Sequence, residues 1–202
     1  GNKLIDEDTN LNPQNPYAES KIKTEKFLLK NQDDFKFIIL RYFNVAGADK
    51  NLRSGQISKH STHLIKILSE VVVGKRDHIE IYGNDYNTPD GTAIRDYIHV
   101  SDLADIHLEV AKYLLEKSKS NLFNCGYGNG YSVLDVVNTA NKIYQNKVIF
   151  KFSNRRSGDV EKLIANTSKI LNHIDWKPKY NDLNEIINSS IKWEKKINAS
   201  NS

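Results

Sequence analysis

The 202-residue sequence contains no methionine, one cysteine and four prolines. A single thiol, Cys125, excludes an internal disulfide framework and fits a reducing, cytoplasmic compartment. No uninterrupted apolar run is long enough to cross a bilayer as a helix, so no membrane partner is expected. No group of His, Cys and carboxylates has metal-ligand spacing, which gives no reason to expect a metal. Neither a Gly-x-Ser-x-Gly segment nor a Cys–His arrangement points to covalent catalysis. A chain that starts at Gly1 and lacks methionine throughout is expected to be a piece of a longer protein or a processed product, with any targeting signal outside it.

Hydrophobic residues make up 39% of the chain and charged residues 27%, the composition of a folded globular protein with one substantial core or two small ones. The net charge of +4 is spread over lysines on helix-like segments. It reads as solvated surface, with no nucleic-acid partner expected, and would help a cleft hold a polyanion.

Pattern along the chain alternates between helix and strand. After a polar opening, Pro16 suits a helix start, and a helix is expected from about residue 17 to 30, with Ala18, Ile22, Phe27, Leu28 and Leu29 for packing. FKFIILRYF (35–43) reads as a buried strand, residues 62–73 as a helix striped by Leu64, Ile65, Leu68, Val71 and Val72, and HIEIYG as a strand. RDYIHV reads as a strand, with Ser101 as N-cap of a helix over about 102–118. NLFNCGYG reads as strand and turn, and Ser132 with Asp135 makes a capping box for a helix reaching about Gln145. KVIFKF is a further strand, and TSKILN and 182–196 are closing helices. This alternation predicts an α/β fold with a mainly parallel sheet.

One short segment, NPYAESK, carries a chemical question. Tyr17 and Lys21 are four apart and share a helix face. An ammonium near a phenol favours the phenolate, which can serve as a general base toward a hydroxyl. Spacing alone does not decide, because Tyr113 and Lys117 repeat it in an ordinary amphipathic helix.

Context adds to the pair. NPYAESK followed by IILRYFNVAGA resembles the extended short-chain dehydrogenase/reductase family. The long ungapped GNDYNTPDGTAIRDYIHVSDLADIH, with NLFNCGYGNGYSVLDVV and RRSGDV, narrows the resemblance to the UDP-glucose 4-epimerase family, from about Asn15 to Trp193. That resemblance implies the later part of a Rossmann-type parallel sheet with a smaller substrate-binding α/β domain. Residues 1–45, with about 95–125 returning to them, would belong to the NAD-binding domain, and 46–94 with 126–202 to the nucleotide-sugar-binding domain. It implies NAD as cofactor and interconversion of UDP-galactose and UDP-glucose through a 4-keto intermediate, in a homodimer.

The resemblance also assigns roles. Tyr17 would take the proton of the sugar 4-hydroxyl, Lys21 would contact the nicotinamide ribose, and Phe43 would line the nicotinamide pocket. Asn44 and His63 would meet the sugar and diphosphate, and Leu64 and Tyr82 would surround the uridine. Arg95 and Arg156 would hold the diphosphate, as forked guanidinium donors suit phosphate oxygens. Asp159 would accept from the uridine ribose. Leu163 stands where the family varies the bulk admitted at the sugar 2-position. Residue by residue, blander readings stay open: Arg95 next to Asp96 could be a local ion pair, Phe43 core, Asn44 and Asp159 turn residues, and His63 a structural histidine.

The pattern fails in one place. The family's Gly-x-x-Gly-x-x-Gly phosphate loop does not occur in the 202 residues; GYGNG (126–130) precedes a different helix. The resemblance therefore implies that the first third of a full-length member lies outside this chain, and that these residues alone bind NAD poorly and do not epimerise. Two other readings remain: a different nucleotide-sugar epimerase or dehydratase, and a non-catalytic remnant that at most holds nucleotide.

Overall fold

A computed structural model describes residues 4–58, 60–145 and 147–199. In chain order its elements are α1 (Pro16–Lys30), β1 (Ile38–Tyr42), β2 (Asn44–Ala46), α2 (Leu64–Val72), β3 (Ile79–Tyr82), β4 (Ile94–Arg95), β5 (Tyr97–His99) and α3 (Val100–Lys117). They continue as β6 (Asn121–Cys125), β7 (Tyr131–Ser132), α4 (Val133–Tyr144), β8 (Phe150–Ser153), β9 (Lys162–Leu163), α5 (Ser168–His173) and α6 (Leu183–Ala199).

The strand pairs are mostly parallel, as an α/β chain requires when helices carry the crossovers. β1 pairs with β6, β2 with β5 and β3 with β8, all parallel. β4 lies between β9, parallel to it, and β7, antiparallel to it. One core is built by Ile65, Leu68 and Val72 of α2, Ile79 and Ile81 of β3, and the inner faces of α4 and α6. A second gathers Ile98, Leu103, Ile106, Val110, Phe123 and Cys125, together with Ile170, Ile174 and Trp176 from and beyond α5. Tyr127 packs against both.

Local chemistry accounts for the helix starts. The Asn15 side chain accepts the Ala18 amide at 2.8 Å, and Pro16 fills the first helical position, where no N–H is needed. Ser132 and Asp135 form the expected reciprocal capping box of α4. α3 differs from expectation. Its cap is His99, whose Nδ1 accepts the Ser101 amide at 3.1 Å, so the helix begins at Val100 and Ser101 lies inside it. α1 differs too: none of its residues is buried, and Phe27 is 61% exposed. Arg41 of β1 ties it down, its Nε donating to Glu25 at 3.0 Å.

Two buried carboxylates hold the loops that border these elements. Asp96 accepts the amides of Tyr127, Gly128 and Ala165 at 2.9, 2.9 and 3.2 Å. Burial nonetheless pushes its carboxyl above the usual range, against those three hydrogen bonds. Asp102 accepts the Tyr127 hydroxyl and the amides of Lys179 and Tyr180. Gly47 is required where β2 ends: its φ is +89°, and an added Cβ would lie 2.5 Å from the His99 ring.

Candidate active site

A cleft of about 920 Å³ opens between α1, the ends of β1, β2 and β3, the start of α2 and the loop after β8. All the residues given a role in the sequence except Leu163 line it: Tyr17 and Lys21 on α1, Phe43 and Asn44 after β1, and His63 and Leu64 at the start of α2. Tyr82 at the end of β3, Arg95 at the end of β4, and Arg156 and Asp159 in the loop between β8 and β9 complete the set. These positions lie far apart in the chain. Strand ends and one helix start converge on a shared space, the usual location of ligand sites in parallel α/β sheets.

The side chains are held as follows. The Lys21 ammonium lies 5.1 Å from the Tyr17 ring centroid. Among the described residues, no hydrogen bond or ion pair takes the Tyr17 hydroxyl or the Lys21 ammonium, and Tyr17 is 72% exposed. The repeat of this spacing behaves differently. Tyr113 lies edge-on against Phe123 of the second core, and its hydroxyl accepts from Asn121 at 3.4 Å.

Arg156 stacks its guanidinium 3.7 Å above the Tyr82 ring, which leaves its N–H edges available in the plane. The Tyr82 hydroxyl donates to Glu80 at 2.6 Å, steadying that ring. Arg95 does not pair with its neighbour Asp96. Successive strand residues face opposite ways, so the Asp96 carboxylate turns to the amides of Tyr127, Gly128 and Ala165. The Arg95 head donates to the Ile94 carbonyl at 2.9 Å and stands 3.8 Å from Asp159. Asn44 is fixed by its own amide, which donates to the Asp96 carbonyl at 3.0 Å. Phe43 is fixed likewise through the Cys125 carbonyl at 3.0 Å. His63 is the residue before α2, and its ring receives a hydrogen bond from Gln56.

Leu163 is not among the cleft residues. It lies in β9 directly beside Arg95. Several lining residues carry no sequence signal: Gln56, Lys66, Ser190, Trp193 and Glu194. Lys66 and Glu194 form a buried ion pair between α2 and α6, and Lys75 joins Glu194 at 2.8 Å. Burial raises the Glu194 carboxyl, but the hydrogen bonds from Lys66 and Lys75 outweigh it and hold the group below its usual range. Only the packing of two helices distant in sequence makes this cluster, so no motif could announce it. Among the described residues, no group of three or more His, Cys, Asp or Glu is placed to hold a metal, and no helix is long and apolar enough to cross a membrane.

Residues 1–126 match the model of the NAD dependent epimerase/dehydratase family. The chain belongs to this family. It is 44% identical over 198 residues to the UDP-glucose 4-epimerase of Azospirillum brasilense, an alignment covering 97% of this chain and 57% of that protein. The solved structure of the Stenotrophomonas maltophila UDP-glucose-4-epimerase, with bound NAD and formylated UDP-arabinopyranose, is similar with a TM-score of 0.93 at 29% identity. That match covers 97% of this chain and 59% of the other. The UDP-Glc/GlcNAc 4-epimerase of Campylobacter jejuni is 44% identical with a TM-score of 0.77, over 96% of this chain and 59% of that one. The chain thus spans a little under three fifths of the length of the relatives it matches. The family match agrees with the α/β architecture and with the resemblance read from NPYAESK and GNDYNTPDGTAIRDYIHVSDLADIH.

Proposed function

We propose that the cleft binds a uridine diphosphate hexose and that its residues carry the interconversion of UDP-galactose and UDP-glucose. One observation carries the reading: a phenol–ammonium pair, two guanidinium groups and a carboxylate, from separate segments, line one cleft of about 920 Å³. That volume is in the range of small-molecule sites, about 300–1,000 Å³.

The chemistry of each group suits its part. Arg156, stacked on Tyr82, and Arg95 supply in-plane donors for diphosphate oxygens. Asp159 accepts from the ribose hydroxyls, and Leu64 and Tyr82 flank the uracil. Asn44 and His63 hold the sugar and its phosphate. Tyr17 removes the proton of the 4-hydroxyl as C4 is oxidised to the ketone, and returns it after the sugar has turned over. Lys21, whose ammonium lies 5.1 Å from the Tyr17 ring centroid, favours the phenolate in both steps.

NAD fits this cleft at its nicotinamide end. The Tyr17 hydroxyl and Lys21 ammonium, uncommitted among the described residues, stand with Phe43 on the cleft wall. When bound, NAD supplies the oxidant for C4. The 202 residues hold no Gly-rich loop for the dinucleotide phosphates. By themselves they therefore bind UDP without turning over UDP-galactose when NAD is added. The cofactor half would be residues 1–45 with 95–125, and the nucleotide-sugar half 46–94 with 126–202. Two copies pair through α1, whose exposed Phe27 and Leu29 need cover. The buried lone thiol of Cys125 supports a cytoplasmic setting.

Calorimetric titration of the chain with UDP and with adenosine diphosphate tests the reading. Binding of UDP at micromolar to low-millimolar concentration, with little response to the adenine nucleotide, is the expected result. Equal or no binding of both would count against it.

A further inference from the structure

We propose that Gln56 is a positioning residue for His63, fixing its imidazole in the Nε2–H tautomer so that the ring offers the cleft a neutral donor. The inference rests on the proposed nucleotide site and adds a residue that no motif marks.

The loop between β2 and α2 is pinned to α6. The Trp193 Nε1–H donates to the Gln56 carbonyl at 3.1 Å, and a Cβ on Gly55 would lie 2.6 Å from the Trp193 ring, so the backbone here is pressed flat against the indole. From that fixed backbone the Gln56 side-chain amide donates to Ser61 Oγ at 3.1 Å and to His63 Nδ1 at 3.2 Å. Ser61 Oγ also accepts the His63 amide at 3.1 Å, which closes a small ring of hydrogen bonds at the start of α2. A neutral imidazole nitrogen that accepts cannot also carry the proton. Acceptance at Nδ1 therefore leaves the proton on Nε2, and among the described residues no hydrogen bond takes Nε2. Gln56 and His63 both line the cleft. An Nε2–H donor suits a phosphate or sugar oxygen, whereas the opposite tautomer would set a lone pair against it.

Other histidines of the chain provide internal standards. His107 and His173 direct Nδ1 to the carbonyls of Leu103 and Lys169, at 2.7 and 2.9 Å, which requires Nδ1–H. His99 accepts at Nδ1 from the Ser101 amide, which requires Nε2–H.

Long-range proton–nitrogen correlation spectra of the imidazoles at pH 8 test the assignment, with His63 identified by its loss in His63→Ala. The expected His63 pattern matches that of His99. It shifts to a mixture of tautomers in Gln56→Met, which keeps the side-chain length and loses the donor, while His99 stays unchanged as the sign of an intact fold. UDP affinity should fall about five-fold in Gln56→Met, the size of one neutral hydrogen bond. It should fall no further in Gln56→Met/His63→Ala than in His63→Ala alone. A His63 pattern like that of His107, a pattern unmoved by Gln56→Met, or losses of affinity that multiply in the double variant would each overturn the proposal. If UDP does not bind the unaltered chain, the functional reading falls, and the tautomer measurement still decides the role of Gln56.

Discussion

At the scale of single residues, geometry separates look-alikes that spacing could not. Tyr17–Lys21 and Tyr113–Lys117 are the same four residues apart, yet one pair faces a cleft and the other tyrosine packs on Phe123. Arg95 was readable as a partner of Asp96, and the alternation of a strand sends the two to opposite faces. Arg156 offers the sharper test because its guanidinium rests on a ring rather than on a carboxylate. Arg156→Ala should weaken UDP binding by at least ten-fold in calorimetry, since a charge-assisted pair with phosphate contributes about 1.5–3 kcal/mol. Arg156→Lys should recover little, because an ammonium lacks the forked donors and the flat face. Gly47 is a stability residue by the same logic. Gly47→Ala sets a Cβ in a left-handed backbone against the His99 ring, and should lower unfolding free energy by about 2 kcal/mol or more in urea titrations.

At the scale of elements, much was legible where the signal is local. Asn15–Pro16 starts α1, Ser132 and Asp135 start α4, and Ile65, Leu68, Val71 and Val72 of the expected α2 stripe are buried, with Leu64 half-buried. The failures lie where packing across the fold overrides the local pattern or leaves it without a partner. β4, β7 and β9 are two residues each, too short for any periodicity, and exist because Ile94 meets both Ser132 and Lys162 across the fold. Ser101 looked like a cap, but the buried ring of His99 reaches the amide first. The apolar residues of α1 were expected to pack, and none is buried.

His99 also makes the junction of β5 and α3 sensitive to pH. Burial pushes its imidazole below the ordinary 6.5, only partly opposed by Asp102 and Glu185. The unfolded chain therefore takes up a proton near pH 6.5 that the folded chain refuses, so stability must fall as pH drops below that value. Urea midpoints measured between pH 7.5 and 5.5 should decline toward the acid end, and His99→Asn should flatten that decline. A midpoint that rises on acidification through this window would contradict the assignment.

At the scale of the molecule, two cores meet at Tyr127, and the cleft lies where the ends of β1, β2 and β3 face the starts of α1 and α2. The proposed nucleotide-sugar side of that cleft is braced by the buried Lys66–Glu194 pair and by Trp193. The phenol side rides on α1, whose tie to β1 is the Glu25–Arg41 pair. The position of Tyr17 thus depends on a helix with no buried residue, while the proposed UDP contacts stand on β3, β4, the start of α2 and the loop between β8 and β9.

The most direct test joins these 202 residues behind a segment carrying a Gly-x-x-Gly-x-x-Gly phosphate loop and measures conversion of UDP-galactose to UDP-glucose, with and without Tyr17→Phe. The account predicts turnover by the joined protein and a loss of at least about 100-fold when the phenol oxygen is removed, with UDP affinity unchanged. A joined protein that keeps its full rate with phenylalanine at position 17 would contradict it.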